Sequence, residues 1–173
     1  LAYGKWREVF DELNDTGKPF QFRQGMDMRL MTEEKARVLS ASKYHGDYIF
    51  AFDNIRDRRL VERKLQLMRK YTNRIPKFYC FCAYNHDRPK EYSTEFWKND
   101  ISDLFERIRI LFSYQALPYV MRYEDYKISP YKGMYITIAR WCNQPSMAKK
   151  KTFREFASMR KDSEKYANEF EAT

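Results

Sequence analysis

Apolar residues recur at helical spacing in several segments of the chain. In KWREVFDELNDTGKP, Trp6, Val9, Phe10 and Leu13 fall at positions i, i+3, i+4 and i+7, which is the pattern of an amphipathic helix. DRRLVERKLQLMRKY and DISDLFERIRILF show the same period, and Thr32 in MTEEKARVL is placed to cap a further helix. These four segments are predicted to be helices, each with one face in a core.

Short apolar runs of strand length lie between and after these helices. They are FQFRQG, YIFAFD, FYCFCAY and LPYVMRY. Runs that are apolar on both faces and separated by single helices are typical of parallel strands in a sheet that is covered on both sides. Four strand–helix units recur about every thirty residues, as expected for βαβ units. The fold class predicted from this alternation is α/β.

The C-terminal part has a different pattern. YKGMYITIARWCNQ is predicted to be one helix, because Met134, Ile138 and Trp141 recur on one face. KKKTFREFASMRKDSEKYANEF is predicted to be a second, more exposed helix. We therefore divide the chain into a strand–helix part, 1–128, and a C-terminal helical extension, 129–173.

Polar side chains stand at the end of every predicted strand. They are Gln24, Asp27 and Arg29 around Gly25 after the first, Asp53 and Asn54 after the second, Tyr84, Asn85 and His86 after the third, and Arg122, Tyr123 and Glu124 after the fourth. Any one of them could cap a helix. Because ligands bind beyond the carboxyl ends of parallel strands, four such groups on one rim predict a shared polar pocket.

Composition and charge narrow the function classes. Hydrophobic residues make up 43% of the chain and aromatic residues 17%, which argues against disorder. The formal charge of +9 leaves nucleic acid, a phosphorylated metabolite or an acidic protein face open as partners. Acids and bases alternate in RDRRLVERK and MAKKKTFRE, however, and this favours solvated helix surface over a dedicated nucleic-acid groove.

Cysteine usage and the ends of the chain predict its setting. Cys80, Cys82 and Cys142 do not form a disulfide framework, and no secretory signal or membrane-spanning run occurs, so a reducing cytoplasm is expected. The chain begins with Leu1 rather than Met, and we expect a fragment or a processed piece. His45 and His86 have no metal-ligand spacing and are predicted to be loop residues, and no metal site is predicted.

Five segments of this chain carry a resemblance to a known family. RQGMDMRLMTEEKA, IFAFDNI, FYCFCAYN, PYVMRY and IARWCNQP occur in this order. The stretch from about Leu1 to Pro145 thereby resembles the later part of radical S-adenosylmethionine (radical SAM) enzymes, closest to uncharacterised bacterial and phage members. The resemblance implies about four parallel strands of a partial (βα)6 barrel, with the C-terminal helices added.

The resemblance also implies cofactors, namely S-adenosylmethionine and a [4Fe–4S] cluster held by a CxxxCxxC segment. A full-length form is expected to cleave S-adenosylmethionine reductively to a 5′-deoxyadenosyl radical. CxxxCxxC is absent from these residues, so the chain as written is not competent alone and its three cysteines are expected to be buried thiols. A second departure is Ala83, where the family pattern often has glycine.

The resemblance suggests roles for the rim residues. Gln24, Asp27 and Asn85 would hydrogen-bond the ribose or the methionine end of S-adenosylmethionine. Arg29 and Arg122 would pair with a carboxylate of methionine or of substrate. Asp53 would orient one of these arginines or meet the substrate. Tyr84 and Tyr123 would stack on adenine. A cap, a rim contact or a buried ion pair is an equally good prediction for each residue taken singly.

Three function classes therefore stay open. The first is the cavity-lining part of a radical SAM enzyme, acting on an unknown small-molecule or macromolecular substrate. The second is a non-catalytic, basic nucleic-acid-binding module, whose affinity would fall steeply with salt. The third is a scaffold whose barrel is completed by a partner chain, paired at the edge of FQFRQ. No class involves a membrane.

Overall fold

A small parallel sheet forms the centre of the protein. The computed structural model describes residues 4–22 and 24–167. Within them, β1 (Ile49–Ala51), β2 (Lys77–Cys82) and β3 (Leu117–Arg122) lie in the order β1-β2-β3 and are all parallel. The α/β class and the parallel direction predicted from the alternation of elements are confirmed.

Helices connect and cover the strands. The α-helices are α1 (Trp6–Asp15), α2 (Glu33–Ala41), α3 (Arg58–Arg69), α4 (Thr94–Ser113), α5 (Lys132–Cys142), α6 (Pro145–Ala148) and α7 (Phe153–Ser158). Single 3-10 turns occupy Met28–Leu30, Ile55–Asp57, Glu124–Ile128 and Glu164–Ala167. Because strand order follows chain order and such crossovers are right-handed, α3 and α4 belong to the same face of the sheet.

Local sequence explains where two of these helices begin. The Thr32 side chain accepts a hydrogen bond from the Lys35 amide at 3.2 Å, as predicted for a cap of α2, and Ser93 accepts from the Phe96 amide at 3.0 Å to begin α4. Each cap satisfies a backbone donor that has no partner within its helix.

The end of α4 has a different cause. The Ala116 amide donates to the Leu111 carbonyl at 2.8 Å, and the Gln115 amide donates to the Phe112 carbonyl at 2.9 Å. These two bonds form a Schellman motif, which holds Gln115 at φ 55°. The chain is thereby turned from α4 into β3.

Among the residues that the structure describes, the first predicted strand is present only as two isolated parallel bridges. Phe20 pairs with Tyr44, and Met26 pairs with Phe50. Each bridge joins a residue to the one 24 positions further on, so both belong to a single register beside β1. The Met26 amide donates to the Ile49 carbonyl at 2.7 Å. The segment thus occupies the place of a fourth parallel strand without forming a continuous ladder.

The two faces of the sheet differ in burial. Phe78, Cys80 and Cys82 of β2 point into the core that the helices cover. On the opposite face Tyr79 is only half-buried, and Tyr119 is 40% exposed. The prediction that both faces are covered is therefore wrong for the residues that the structure describes. An apolar strand sequence indicates that its side chains favour burial. It does not show whether this chain supplies an element that covers each face of the sheet.

The outer edge of β3 is capped by a side chain of the chain itself. The Asn143 carboxamide oxygen accepts from the Val120 amide at 2.7 Å, and its nitrogen donates to the Val120 carbonyl at 3.0 Å. A single side chain thus pairs both backbone groups that a further strand would use there. This is one way in which proteins protect an edge strand from pairing with another chain.

The C-terminal extension packs on the same core, and it is only partly as predicted. Met134, Tyr135 and Ile138 of α5 are buried with the helices that cover the sheet, and this helix is confirmed. The second predicted helix is wrong in extent. It is divided into α7 and the turn Glu164–Ala167, and the end of the predicted helix, 168–170, lies outside the described residues.

Candidate functional site

Two cavities open where the parallel strands end. The Asp27 cavity has a volume of about 530 Å³ and lies between the segment 25–29, the end of β1 and the loop after β2; Gly25, Asp27, Arg29 and Asp53 are in its wall. The Arg107 cavity has a volume of about 280 Å³ and lies between the ends of β1 and β2 against α4. The sequence predicted one pocket shared by four polar strand ends. The segment 25–29 and the ends of β1 and β2 instead border two adjoining cavities, and Arg122, Tyr123 and Glu124 at the end of β3 line neither.

A salt bridge forms part of the wall between the two cavities. Arg56 Nη1 and Nη2 donate to the two Asp87 carboxylate oxygens at 3.2 and 2.8 Å. This pairing lowers the pKa of Asp87 and raises that of Arg56, chiefly through the hydrogen bonds themselves. Both side chains are largely exposed, so the pair contributes little to stability, but it joins the loop after β1 to the loop after β2.

Asp27 and Arg29 form a second forked pair inside the Asp27 cavity. Arg29 Nε donates to Asp27 Oδ1 at 3.0 Å and Nη2 donates to Oδ2 at 2.8 Å, while the Arg29 amide also donates to Oδ1 at 2.9 Å. Asp27 therefore caps the turn Met28–Leu30 and neutralises Arg29. The hydrogen bonds from Arg29 lower the pKa of Asp27. To pair with a ligand carboxylate, as predicted, Arg29 would have to give up its hydrogen bonds to Asp27.

Asp53 continues the hydrogen bonding of β1 beyond its last residue. Its Oδ1 accepts from the Phe81 amide at 2.9 Å, where a longer β1 would have supplied a carbonyl. Asn54 caps the following turn by accepting from the Arg56 amide at 2.9 Å. Among the described residues Asp53 has no ion pair, so a half-buried carboxylate stands in the wall of both cavities.

The aromatic residues predicted at the rim pack on one another. Tyr84 and Tyr123 meet edge to face with ring centroids 4.9 Å apart, and Phe81 contacts both rings. His86 lies against Tyr84 at 4.9 Å and is in the wall of both cavities, although the sequence predicted only a loop residue. The two tyrosines therefore pack on each other, and only Tyr84 lines one of the two cavities. Their stacking on adenine stays a prediction.

Three of the predicted residues serve other contacts. Asn85 accepts from the Asp87 and Arg88 amides and donates to the Glu91 carbonyl at 2.7 Å, so its amide shapes the loop after β2. Arg122 lies over the Tyr126 ring at 4.5 Å and is in the wall of neither cavity. Gln24 is exposed and also lies outside both.

Helix α4 contributes charged cavity-lining residues that were not predicted from the sequence. Asp100, Asp103 and Arg107 line the Arg107 cavity, and Arg107 is 1% exposed. Asp100 Oδ2 accepts from Tyr135 Oη at 2.6 Å and from the Ala83 amide at 2.9 Å. Burial raises the pKa of both aspartates. The available signal was their spacing of three and four residues, which places charged groups on one stripe of a helix whose neighbouring stripe is apolar.

The end of β2 carries backbone strain at this place. Ala83 is fully buried and adopts φ 64°, a conformation that favours glycine. Its amide is the one that Asp100 accepts from. Ala83, which stands where the radical SAM pattern often has glycine, thus has a backbone conformation that glycine adopts without strain.

The Asp27 cavity is acidic although the protein is basic. Its wall holds four carboxylates (Asp27, Asp53, Asp57 and Asp87) and two guanidinium groups (Arg29 and Arg56), a formal charge of −2 in a chain of charge +9. Arg29 is already paired with Asp27, and Arg56 is already paired with Asp87. Asp53 and Asp57 are in no ion pair among the described residues, so the cavity is suited to a ligand that carries positive charge.

The cysteines do not fit an iron–sulfur cluster. All three are buried, two on β2 and one on α5, and their sulfurs face backbone carbonyls at 3.6–3.8 Å. Burial raises the pKa of Cys80 to about 12 and also raises the pKa of Cys82 and Cys142, so the thiols are protonated. An iron–sulfur cluster is held by deprotonated thiolates, and not by protonated thiols. The described residues also contain no group of three or more His, Cys, Asp or Glu side chains that could hold a metal ion.

Comparisons with known proteins identify no relative of this chain. No protein-family model matches it, and neither do any curated protein sequence or solved structure. Over the part that the structure describes, no helix has the length and apolar character needed to span a membrane. The resemblance to radical SAM enzymes stays a prediction.

Proposed function

We propose that this chain forms the ligand-binding edge of a partial (βα) barrel of radical SAM type, and that its Asp27 cavity binds S-adenosylmethionine. The observation that carries the proposal is the excess of carboxylates in this cavity, at the ends of parallel strands, within a basic protein. S-adenosylmethionine has a sulfonium, an ammonium and one carboxylate, and its net positive charge complements the unpaired Asp53 and Asp57.

Three features of the sheet support the barrel in this proposal. Strand order follows chain order, and the bridges at Phe20 and Met26 share one register beside β1. The face opposite the helices is open, as the inner face of an incomplete barrel would be. The Asn143 side chain closes the outer edge of β3, which suits the last strand of a barrel that does not close.

Binding, and not cleavage, is the activity proposed for these residues. Reductive cleavage of S-adenosylmethionine needs a [4Fe–4S] cluster, and the buried thiols described above do not fit one. This chain's own contribution would be to hold a cation with Asp53 and Asp57 and to limit access of water to it.

Calorimetric titration of the purified chain with S-adenosylmethionine and with S-adenosylhomocysteine tests the proposal. The second ligand lacks the sulfonium charge, so we expect it to bind about tenfold more weakly. Asp57→Asn should weaken S-adenosylmethionine binding about three- to tenfold, because one unpaired carboxylate is lost. Asp47→Asn is the control, since Asp47 pairs with Lys77 at the opposite ends of the strands. Equal affinity for the two ligands, or no binding at millimolar concentration, would contradict the proposal.

The open face of the sheet favours a second candidate, a surface for single-stranded nucleic acid. Tyr79 and Tyr119 are neighbours on β2 and β3, with ring centroids 5.7 Å apart, and Met121 beside them is 42% exposed. Bases stack on aromatic side chains that a sheet presents in this way, and the charge of +9 would attract the phosphates.

Fluorescence anisotropy with a labelled single-stranded oligonucleotide tests this candidate. Tyr119→Ala should weaken binding at least about fivefold, since stacking contributes about 1–3 kcal/mol per base. Tyr71→Ala is the control, since Tyr71 follows α3 and is not on the sheet. Affinity that does not change between low and high salt would exclude a phosphate-binding surface.

A partner chain that completes the barrel is the third proposal. Asn143 blocks the edge of β3, so such a chain would pair with the segment 20–26.

A further inference from the structure

Arg107 is a buried charged side chain that has no ion-pair partner among the described residues. It is 1% exposed and forms part of the wall of the Arg107 cavity. No carboxylate oxygen in that part of the chain lies within 4 Å of its nitrogens, although Asp100 and Asp103 are on the same helix. Asp100 and Asp103 attract it only from beyond ion-pair distance. A buried guanidinium without a directly bonded carboxylate carries a large desolvation cost, so a negatively charged group from outside the chain that bonds it directly would be favoured there.

The guanidinium is oriented by one nitrogen and leaves one edge unused. Nη1 donates to the Phe52 carbonyl at 2.8 Å and to the Phe81 carbonyl at 3.0 Å, where β1 and β2 end. Nε is buried and donates to no acceptor, and Nη2 makes no hydrogen bond within the described residues either. Nε and Nη2 together form the edge of a guanidinium that receives a carboxylate or phosphate through two parallel hydrogen bonds.

The other residues of the Arg107 cavity restrict which anion can bind. Asp53, Asp87, Asp100 and Asp103 stand in its wall against Arg56 and Arg107, a formal charge of −2. A phosphate or a simple anion would be repelled by this excess. A ligand that carries an ammonium beside its carboxylate would be attracted, and Asp103, which has no ion pair among the described residues, is available for the ammonium.

We propose that the Arg107 cavity is a subsite for the α-amino-acid group of a substrate, with the carboxylate on the Nε–Nη2 edge of Arg107 and the ammonium on Asp103. Tyr84, Phe96 and Ile55 in the same wall suit an apolar or aromatic side chain. The inference goes beyond the proposed function, because it concerns a second ligand in an adjoining cavity. The two cavities share Asp53, Asn54, Arg56, His86 and Asp87 in their walls, whereas Asp103 and Arg107 line only this one.

Three related small molecules test the subsite on the unchanged protein. We would titrate the chain with L-phenylalanine, with phenylalaninamide, which lacks the carboxylate, and with 3-phenylpropanoate, which lacks the ammonium. L-phenylalanine should bind, and each analogue should bind at least about tenfold more weakly, because each loses one charge-assisted contact. Binding of the amide as tight as that of the amino acid, or no binding of any of the three at millimolar concentration, overturns the proposal.

Substitutions then assign the contact to Arg107. Arg107→Lys retains a donor for the strand-end carbonyls but loses the forked edge, and it should weaken L-phenylalanine binding at least about tenfold. Arg109→Met is the control, since Arg109 lies on the same helix, exposed and paired with Glu106. Circular dichroism checks the fold of each variant, and if Arg107→Lys does not fold, the ligand series on the unchanged protein still decides.

The two proposals can fail separately. S-adenosylmethionine binding should be unchanged in Arg107→Lys and reduced in Asp57→Asn, while L-phenylalanine binding should show the opposite response. Loss of both ligands in Arg107→Lys with the fold retained would contradict a separate subsite.

Discussion

Asn143 provides the most direct test of how this sheet is kept from extending. Its carboxamide is the partner of both the amide and the carbonyl of Val120, which is 3% exposed. Replacing Asn143 with alanine leaves a buried donor and a buried acceptor without partners. Each such group costs about 1–3 kcal/mol. Allowing for some entry of water, we expect Asn143→Ala to lower the free energy of unfolding by about 2–4 kcal/mol.

Urea unfolding followed by circular dichroism measures this change. A loss of this size should lower the midpoint by about 1–2 M, since slopes for domains of this kind are about 1–3 kcal/mol per molar urea. Gln144→Ala is the matched control, because Gln144 is the exposed neighbour and its side chain makes no cap hydrogen bond, so its change should stay within about 0.5 kcal/mol.

Asn143→Asp separates the two hydrogen bonds. The carboxylate keeps an acceptor for the Val120 amide but places a negative charge against the Val120 carbonyl. This variant should be at least as destabilised as Asn143→Ala at neutral pH and should recover partly in acid, when the carboxyl is protonated. If Asn143→Ala and Gln144→Ala unfold at the same urea concentration, the carboxamide does not protect this edge and the reasoning is refuted.

Three further predictions concern other parts of the chain. Gln115→Gly should stabilise the protein by about 0.5–1 kcal/mol, because Gln115 holds φ 55° at the exposed end of α4; an unchanged urea midpoint would contradict this. Burial raises the pKa of Asp103 above its ordinary 3.8, so its contribution to stability is present below pH 3.8 and is lost as pH rises through the folded value. Asp103→Asn lacks this contribution. Its free energy of unfolding should therefore rise relative to that of the unchanged protein as the pH goes from acid to neutral, and a difference between the two proteins that does not vary with pH would exclude the effect. The thiol of Cys80, with its pKa raised to about 12, should be alkylated by iodoacetamide at pH 8 only at the rate of unfolding; mass spectrometry of samples with and without urea checks this, and rapid labelling of the folded chain would show an accessible thiolate.

Hydrophobic period was a sufficient guide to most elements. It predicted α1, α3, α4 and α5, and apolar runs predicted β1, β2 and β3, because each of these segments carries its own pattern of buried positions. Thr32 could be recognised as a cap because a cap depends only on the three residues that follow it. The chain after α5 was harder to predict, because short helices are stabilised by packing and not by their own period.

The candidate site divides in the same way. Asp27, Arg29 and Asp53 could be placed at one rim, because parallel strands bring their carboxyl ends to one edge of a sheet. That Asp27 and Arg29 pair with each other, and that Asn85 is used by its own loop, depends on side-chain geometry. Arg107 was not found, because a charged residue in an apolar helix stripe gives no sign of which strand ends it will meet.

The sequence by itself determined the order of helices and strands, the parallel direction of the sheet and the polar character of the strand ends, since these follow from local period and from the connection rules for βαβ units. Only the tertiary structure decided that one sheet face stays open, that Asn143 closes the edge at Val120, and that Arg107 reaches Phe52 and Phe81. These contacts join residues 23 to 55 positions apart. Contacts over such distances are set by how helices pack across the strands, and this packing depends on the shapes of many side chains together.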